Sequence, residues 1–338
     1  MEYGAIDLHK QRSVIRIVDG DGTVVLDRTV PTSRAGFASV FRGRARLRVL
    51  IETGTESEWA AQTIEADGHA VVVVDPNYAL MYGVRQRVVK TDRRDVAALA
   101  EANRLGIFRA AHRVSAAQRE RRRQLRVREQ LVRVRTQAIN LLRAQLRQEG
   151  YRLGSGSAET VVARYGRLQL PPTLQTSLQP VIALLTHLRP ALAALDTTTA
   201  AQALADPITR QLMTAPGVGP VTALTYRAVL DDVGRFADAG RVTAFLGLVP
   251  KEDSSGARRR KGGITKAGPA RVRALLVQAA WTIWRQRHAG DPLQRWVHAV
   301  ADRRGRGIAI VGLARRLARV LFAMWRDGLP YRVMPLTA

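Results

Sequence analysis

Tyr3-Gly-Ala-Ile-Asp7-Leu-His is a short apolar run that closes on an acid, and its reading decides the fold of the first hundred residues. Such a run, bounded by polar residues, is the signature of a strand. A second one, Leu47-Arg-Val-Leu-Ile-Glu52-Thr-Gly, also closes on an acid. Working outward, the pattern predicts strands over 2–8, 13–19, 23–30, 46–52 and 70–75, and helices over 33–42, 57–67, 77–84 and 92–104. Asp19-Gly-Asp-Gly22 supplies hairpin-turn chemistry between the second and third strands.

The order βββαβαβα is that of an RNase H-like domain, whose catalytic acids come from the first strand, the fourth strand and the last helix. Asp7, Glu52 and the pair Asp92 and Asp95 occupy those places. In Lys90-Thr-Asp-Arg-Arg-Asp95, the three-residue spacing at a helix start points both carboxylates to one side. Carboxylates gathered this way repel unless a divalent cation sits between them, and hard Mg²⁺ prefers an all-oxygen shell. A paired-metal phosphoryl-transfer site is the reading that follows. For each acid alone the competing role is a helix cap or an arginine partner, most of all for Asp92, since Thr91-Asp92 precedes a helix-forming stretch.

The 338 residues suffice for two or three domains, divided here at 1–110, 111–205 and 206–338. With 54 Lys plus Arg against 28 Asp plus Glu, the formal net charge is +26, and the expected partner is nucleic acid. No lipidation motif, signal peptide or uninterrupted apolar run of membrane-spanning length stands in the sequence, so no membrane partner is expected and the location implied is the bacterial cytoplasm. The absence of cysteine excludes disulfides, thiolate metal sites and cysteine nucleophiles. The histidines at 9, 69, 112, 187, 288 and 298 show no metal-ligand spacing and read as core or surface residues.

Residues 113–149 read as one long arginine-dense helix. Leu125, Val132, Ile139 and Leu146 recur at seven-residue intervals, and Val127, Leu131, Val134, Ala138 and Leu141 widen the apolar side. Arg122, Arg126, Arg133, Arg143 and Arg147 lie opposite, suited to a phosphate backbone. A flexible break at 150–158 and a second helix over 172–195 make a hairpin or coiled-coil arm, which serves dimerisation, nucleic-acid contact or both.

Past Asp206-Pro207 the chain is expected to be mainly helical, with further helices over 268–289 and 308–327. Pro216-Gly217-Val-Gly219-Pro between helical segments resembles a helix-hairpin-helix, whose backbone N–H groups hold a phosphate. Farther on, Ser254-Ser255-Gly256 lies in a loop with Arg258, Arg259, Arg260, Lys261 and Lys266. A serine needs deprotonation and nearby cations to attack a phosphodiester. The loop has the cations; as residues alone it reads first as a passive phosphate-binding loop and only second as a catalytic one.

Taken together, Gly4-Ala-Ile-Asp7-Leu-His-Lys10, Ile51-Glu52-Thr-Gly54, Lys90-Thr-Asp92-Arg-Arg-Asp95, Pro216-Gly-Val-Gly219-Pro, Phe245-Leu-Gly-Leu-Val-Pro250, Ser255-Gly256 and Gly263-Ile-Thr-Lys266-Ala-Gly268 resemble, in order and spacing, the DEDD-type insertion-sequence transposases. These are relatives of the Piv DNA invertase, described as bridge-RNA-guided recombinases. Val96 and Pro269 depart from the family's usual Ala and Asn. The resemblance implies a RuvC-like domain whose Asp7, Glu52, Asp92 and Asp95 bind Mg²⁺, with Mn²⁺ a possible substitute. It implies a coiled-coil arm and a transposase domain whose nucleophile is Ser255, with Ser254 its neighbour and fallback. It also implies a phosphoserine–DNA intermediate, donor and target DNA, a structured guide RNA, and a homodimer that forms a tetramer at synapsis. A Holliday-junction-type metal nuclease using water, and a site-specific DNA invertase, are the alternative readings.

Overall fold

Strands β1 (Tyr3–Asp7), β2 (Arg12–Val18) and β3 (Val24–Pro31) form an antiparallel meander. Its β2–β3 turn is tied by Asp19, whose Oδ1 accepts from the amides of Asp21 (3.0 Å) and Thr23 (2.8 Å). After helix α1 (Arg34–Phe41) the chain re-enters beside β1 as β4 (Arg48–Glu52), parallel to it, with Gly4 opposite Val49 and Ile6 opposite Ile51. Helix α2 (Ser57–Ala66) leads to β5 (Ala70–Val74), parallel to β4, and the sheet order is β3-β2-β1-β4-β5. The two-residue period of the strands separates two cores. Ile6, Ile15, Ile17, Val49 and Ile51 pack under α1 and α2 with Phe37, Phe41 and Ile64. Their neighbours Ala5, Val14, Leu50 and Val74 face helix α3 (Asp92–Leu105) through Val96 and Leu99.

These elements come from a computed structural model that describes residues 1–78, 81, 91–255, 258–286 and 291–332, with the backbone alone over 253–255 and 258–261. The helix expected over 77–84 falls largely outside the described residues. The chain divides into two compact units, Met1–Val114 and Ser115–Ala338. The first is mixed α/β and the second mostly helical.

The second unit opens with α4 (Ala116–Gln148) and, after α5 (Val161–Tyr165), returns as α6 (Pro172–Ala205). The two long helices run antiparallel: Gln124 Oε1 accepts from Gln202 Nε2 at 2.7 Å, and Arg128 meets Asp196 at 2.5 Å. Their apolar contact is narrower than the sequence suggested. Ala138, Ile139, Leu142 and Leu146 are the apolar residues of α4 that are buried, against Leu178 and Leu185 of α6, whereas Val127 and Leu141 are about half exposed. Helix α6 also runs on past the expected end at 195. By length and composition it is the one described helix capable of crossing a membrane, contrary to the sequence reading that no run reached that length. One side of it packs along α4.

Asp206 ends α6 and caps α7 (Pro207–Leu212), its Oδ1 accepting from the Thr209 amide at 3.1 Å. There follow α8 (Pro220–Leu230), α9 (Ala239–Phe245), the hairpin β6 (Pro250–Ser255) and β7 (Arg258–Ile264), α10 (Ala270–Arg285), α11 (Pro292–Arg304) and α12 (Arg306–Asp327). Helix α11 was not anticipated. The core of this part is built on α8, α10 and α12 around Tyr226, fully buried, whose hydroxyl donates to the Ala318 carbonyl at 2.8 Å.

Candidate active site

Asp7 and Glu52 are the last residues of β1 and β4, so both carboxylates stand at the carboxyl ends of adjacent parallel strands. Helix α3 brings the other two acids. It begins at Asp92, and its N-cap is Thr91, whose hydroxyl accepts from the Arg94 amide at 3.4 Å. The cap is thus Thr91, and the capping role open to Asp92 in the sequence is filled by its neighbour. At the far end of α3, fully buried Asn103 fastens the helix across the β1–β4 seam: its Nδ2 donates to the carbonyls of Gly4 (2.7 Å) and Arg48 (2.8 Å). Arg48 answers, donating to Asn103 Oδ1 at 2.7 Å and to its carbonyl at 2.5 Å, with its guanidinium near the rings of Tyr3 and Phe108. Nothing local marks Asn103 as special in the sequence, and it is the side chain that holds α3 against the strands carrying Asp7 and Glu52.

His9 is the unexpected member. Its Nε2 lies 3.2 Å from Asp7 Oδ2 and 3.3 Å from Asp92 Oδ2. One ligand atom from each of Asp7, His9 and Asp92 falls within 4.8 Å of the others, so these are residues able to hold a metal ion. The sequence reading set His9 aside for want of metal-ligand spacing. The signal was there in the strand period: two residues beyond Asp7, a side chain returns to the same side of an extended chain.

The electrostatics fit a cation. Asp7 has a side chain 19% exposed, and its pKa is raised. Burial is the main cause; the Asp92 and Asp95 carboxylates add to it, and His9 opposes them. Two carboxylates against one imidazole, with a third acting on Asp7, in a chain of net charge +26 form a donor set suited to a divalent ion. Asp7, Asp92 and His9 meet directly, Asp95 is within electrostatic reach of Asp7, and Glu52 stands on the neighbouring strand.

In the second unit, Ser254 and Ser255 end strand β6, opposite Arg259 and Arg258 of β7. The expected loop is a two-stranded hairpin, and Gly256 lies outside the described residues. The glycine motifs on either side serve close backbone packing. Gly247 and Gly268 both have positive φ, and a Cβ on either would collide with backbone, that of Ala267 and of Phe245 respectively. Arg273 Nη1 ties the same crossing by donating to the carbonyls of Leu246 (2.9 Å) and Ala267 (2.6 Å). Lys266 beside it is exposed, with φ 57°.

Gly217 likewise has φ +72° and lies against α10, where a Cβ would stand 2.6 Å from the Ala279 carbonyl oxygen. Gly219 is exposed and N-caps α8, whose first amides have no side-chain cap. Among the arm arginines, Arg126 and Arg133 are exposed, and Arg133 pairs with Glu129 at 2.5 Å. Arg122 is turned inward and donates to the carbonyls of Ala228 (2.8 Å) and Val229 (2.9 Å) near the end of α8.

Two families of known proteins match this chain. A DEDD transposase family of the IS110 type, described as transposase, matches residues 5–150, and one described as the transposase IS116/IS110/IS902 family matches residues 209–294. The chain is similar to the transposase for insertion sequence element IS1111A of Coxiella burnetii, 27% identical over 334 residues, covering 97% of this chain and 90% of the relative. It is 32% identical over 297 residues to y4qE of Sinorhizobium fredii, a transposase by name, covering 83% and 71% of the two. The transposase for insertion sequence element IS1328 of Yersinia enterocolitica is 27% identical over 286 residues, with 83% and 84% covered.

Proposed function

This chain belongs to the IS110/IS116 family of DEDD transposases, and from that membership we propose that it cuts and rejoins DNA at a metal-assisted site, with Ser255 as the nucleophile. The observation that carries the proposal is the gathering of Asp7, His9 and Asp92 at the carboxyl end of β1, with Asp95 close enough to push the Asp7 pKa up. Asp7, Glu52, Asp92 and Asp95 would hold Mg²⁺, or Mn²⁺ in its place, in an RNase H-like, RuvC-like domain. A cation held there would supply polarisation of the phosphate and stabilisation of the charge that develops on it.

The chain's own residues supply the rest. Ser255 Oγ attacks phosphorus and loses its proton; one ester P–O bond breaks, and the departing oxygen leaves as a hydroxyl. The phosphoserine linkage conserves the ester bond, so a new DNA end attacks it and releases the serine without ATP. Ser255 stands opposite Arg258 on a hairpin whose second strand reads Arg-Arg-Arg-Lys, a run of cations suited to the charge of the phosphorane. Arg126, Arg133, Lys266 and the amides at Gly217 and Gly219 would follow the backbone of bound nucleic acid. A structured guide RNA would choose the sequences by base pairing. Two protomers joined through the helical arm, and four at synapsis, would bring acids and serine to the same phosphates.

The test is covalent capture. Labelled donor and target DNA, Mg²⁺ and RNA from the sequence flanking the element are incubated with wild type, Ser255→Ala, Ser254→Ala and Asp7→Asn, and protein-bound label is read on a denaturing gel. Label should appear with wild type and Ser254→Ala and vanish with the other two. Free cleaved DNA that persists in Ser255→Ala would make the nucleophile water and the protein a hydrolytic nuclease.

A further inference from the structure

Helix α12 carries Arg315, Arg316 and Arg319 into a cleft of about 720 Å³ whose opposite wall is Trp296 of α11 and whose lining includes Gly312 and Val320. None of these arginines figures in the resemblance, in the serine hairpin or in the acidic site. Gly312 lets the wall come close: a Cβ there would stand 3.2 Å from the Trp296 ring. The Arg316 guanidinium lies 5.0 Å from the centre of the same ring, so its charge is held in place before any ligand arrives. Among the described residues no carboxylate pairs with Arg315, Arg316 or Arg319. Arg315 Nε is buried and has no hydrogen-bond partner among them either, a donor whose cost is recovered only when an acceptor enters the cleft. Asp238, next in the chain to the lining residue Ala239, is occupied in capping α9, accepting from the amides of Gly240 (2.6 Å) and Arg241 (2.9 Å).

We propose that this cleft holds the phosphate backbone of a DNA duplex, separately from the site of strand cleavage. The proposal rests on the reading above that the chain acts on DNA. Arg315 and Arg319 are one helical turn apart, and their side chains therefore emerge about 5–6 Å from each other at Cβ, close to the separation of successive phosphates on one strand. Arg316, one residue on from Arg315, is directed by Trp296 to the side of that line. Three cations with no acid among them suit a polyanion, and a Trp ring already covered by Arg316 leaves charge rather than base stacking to do the recognition. Binding here is therefore independent of sequence.

The test measures anisotropy of a labelled DNA duplex of arbitrary sequence over a salt series, without metal, and in parallel that of a labelled RNA hairpin. The proteins are wild type, Arg316→Gln, Arg316→Lys and the exposed Arg319→Gln. Each loss of charge should lower the slope of log K against log salt by about 0.9 on the duplex. Arg316→Lys should keep the wild-type slope, and the loss of slope on the hairpin should be smaller than that on the duplex. A duplex slope unchanged in Arg316→Gln and Arg319→Gln, or a loss confined to the RNA hairpin, would overturn the cleft as a DNA site while leaving cleavage at Ser255 untouched. Failure of the wild type to bind any duplex would overturn both readings.

Discussion

Asp7 and Asp206 are both aspartates with little exposed side chain, and the protein treats them in opposite ways. Around Asp206, burial pushes the pKa up, but the Thr209 amide and the Arg121 guanidinium outweigh it, and the carboxyl is held below its ordinary range. Around Asp7, burial pushes in the same direction and the neighbours Asp92 and Asp95 push with it, against His9. A chain with 54 basic residues had every means to place a guanidinium beside Asp7. Among the described residues, the charged groups that act on it are two acids and an imidazole. A carboxylate that serves the fold is neutralised by the fold; one that serves chemistry is kept at a cost the bound ligand removes.

The sharpest break of that comparison is Asp7→Asn. Metal-dependent cleavage should fall by more than about a hundredfold, the upper range for losing even an outer partner of a metal ligand. Stability should move the other way. A carboxyl whose folded pKa is raised favours the fold below its ordinary pKa and loses that contribution as pH rises through the raised value. The charged form of Asp7 is a burden that asparagine lifts, so above the raised pKa the metal-free variant should unfold at a higher denaturant concentration than wild type. Saturating Mg²⁺, at about a hundred times its Kd, should then stabilise the wild type by about 2.7 kcal/mol and the variant not at all. A variant less stable than the metal-free wild type would show that Asp7 serves the fold after all.

Asp206→Ala tests the other half. It removes the cap of α7, worth about 1 kcal/mol, and an ion pair whose arginine is partly exposed, worth about 1 kcal/mol more. Urea unfolding should show a loss of about 2 kcal/mol on these two counts, with metal affinity at Asp7 unchanged. The pH dependence is the reverse of that at Asp7: with its pKa held down, Asp206 stabilises above the ordinary aspartate range, and that stabilisation is lost as pH falls through the lowered value. The difference between Asp206→Ala and wild type should therefore shrink in acid. A gap that stays constant would mean that neither the Thr209 amide nor Arg121 favours the charged carboxylate.

The same contrast explains what the sequence made legible. The five strands and α3 follow from apolar period and turn chemistry, and the acids at their ends were visible as soon as the strands were. His9 was hidden because its partners Asp7 and Asp92 come together only through the tertiary placement of α3, which depends on Asn103 and Arg48. Arg258–Ile264 has poor strand propensity, three arginines, a lysine and two glycines, and it is a strand only because β6 pairs with it. The second long helix runs ten residues past its expected end at 195, where Thr199 and Ala203 are buried and Gln202 reaches Gln124 on α4. Helix α11 did carry its start signal, Asp291 at the cap with Oδ1 accepting from the Leu293 amide at 2.7 Å, then proline at the first position.

His9 gives the smallest and most discriminating effect, because it stands on the boundary the comparison draws. As a partner that holds Asp7 and Asp92 near each other, it acts as an outer residue, and His9→Ala should weaken Mg²⁺ binding about tenfold, read by calorimetry. As a direct ligand it acts through a nitrogen that suits Ni²⁺ far better than Mg²⁺. The same substitution should then weaken Ni²⁺ more than Mg²⁺ and narrow the preference between them. An equal loss for both ions assigns His9 to positioning the carboxylates, and a larger loss for Ni²⁺ assigns it to the metal. No change for either ion would mean that the imidazole only shields the acids from one another in the empty site, in which case His9→Ala should cost stability without metal and nothing with it.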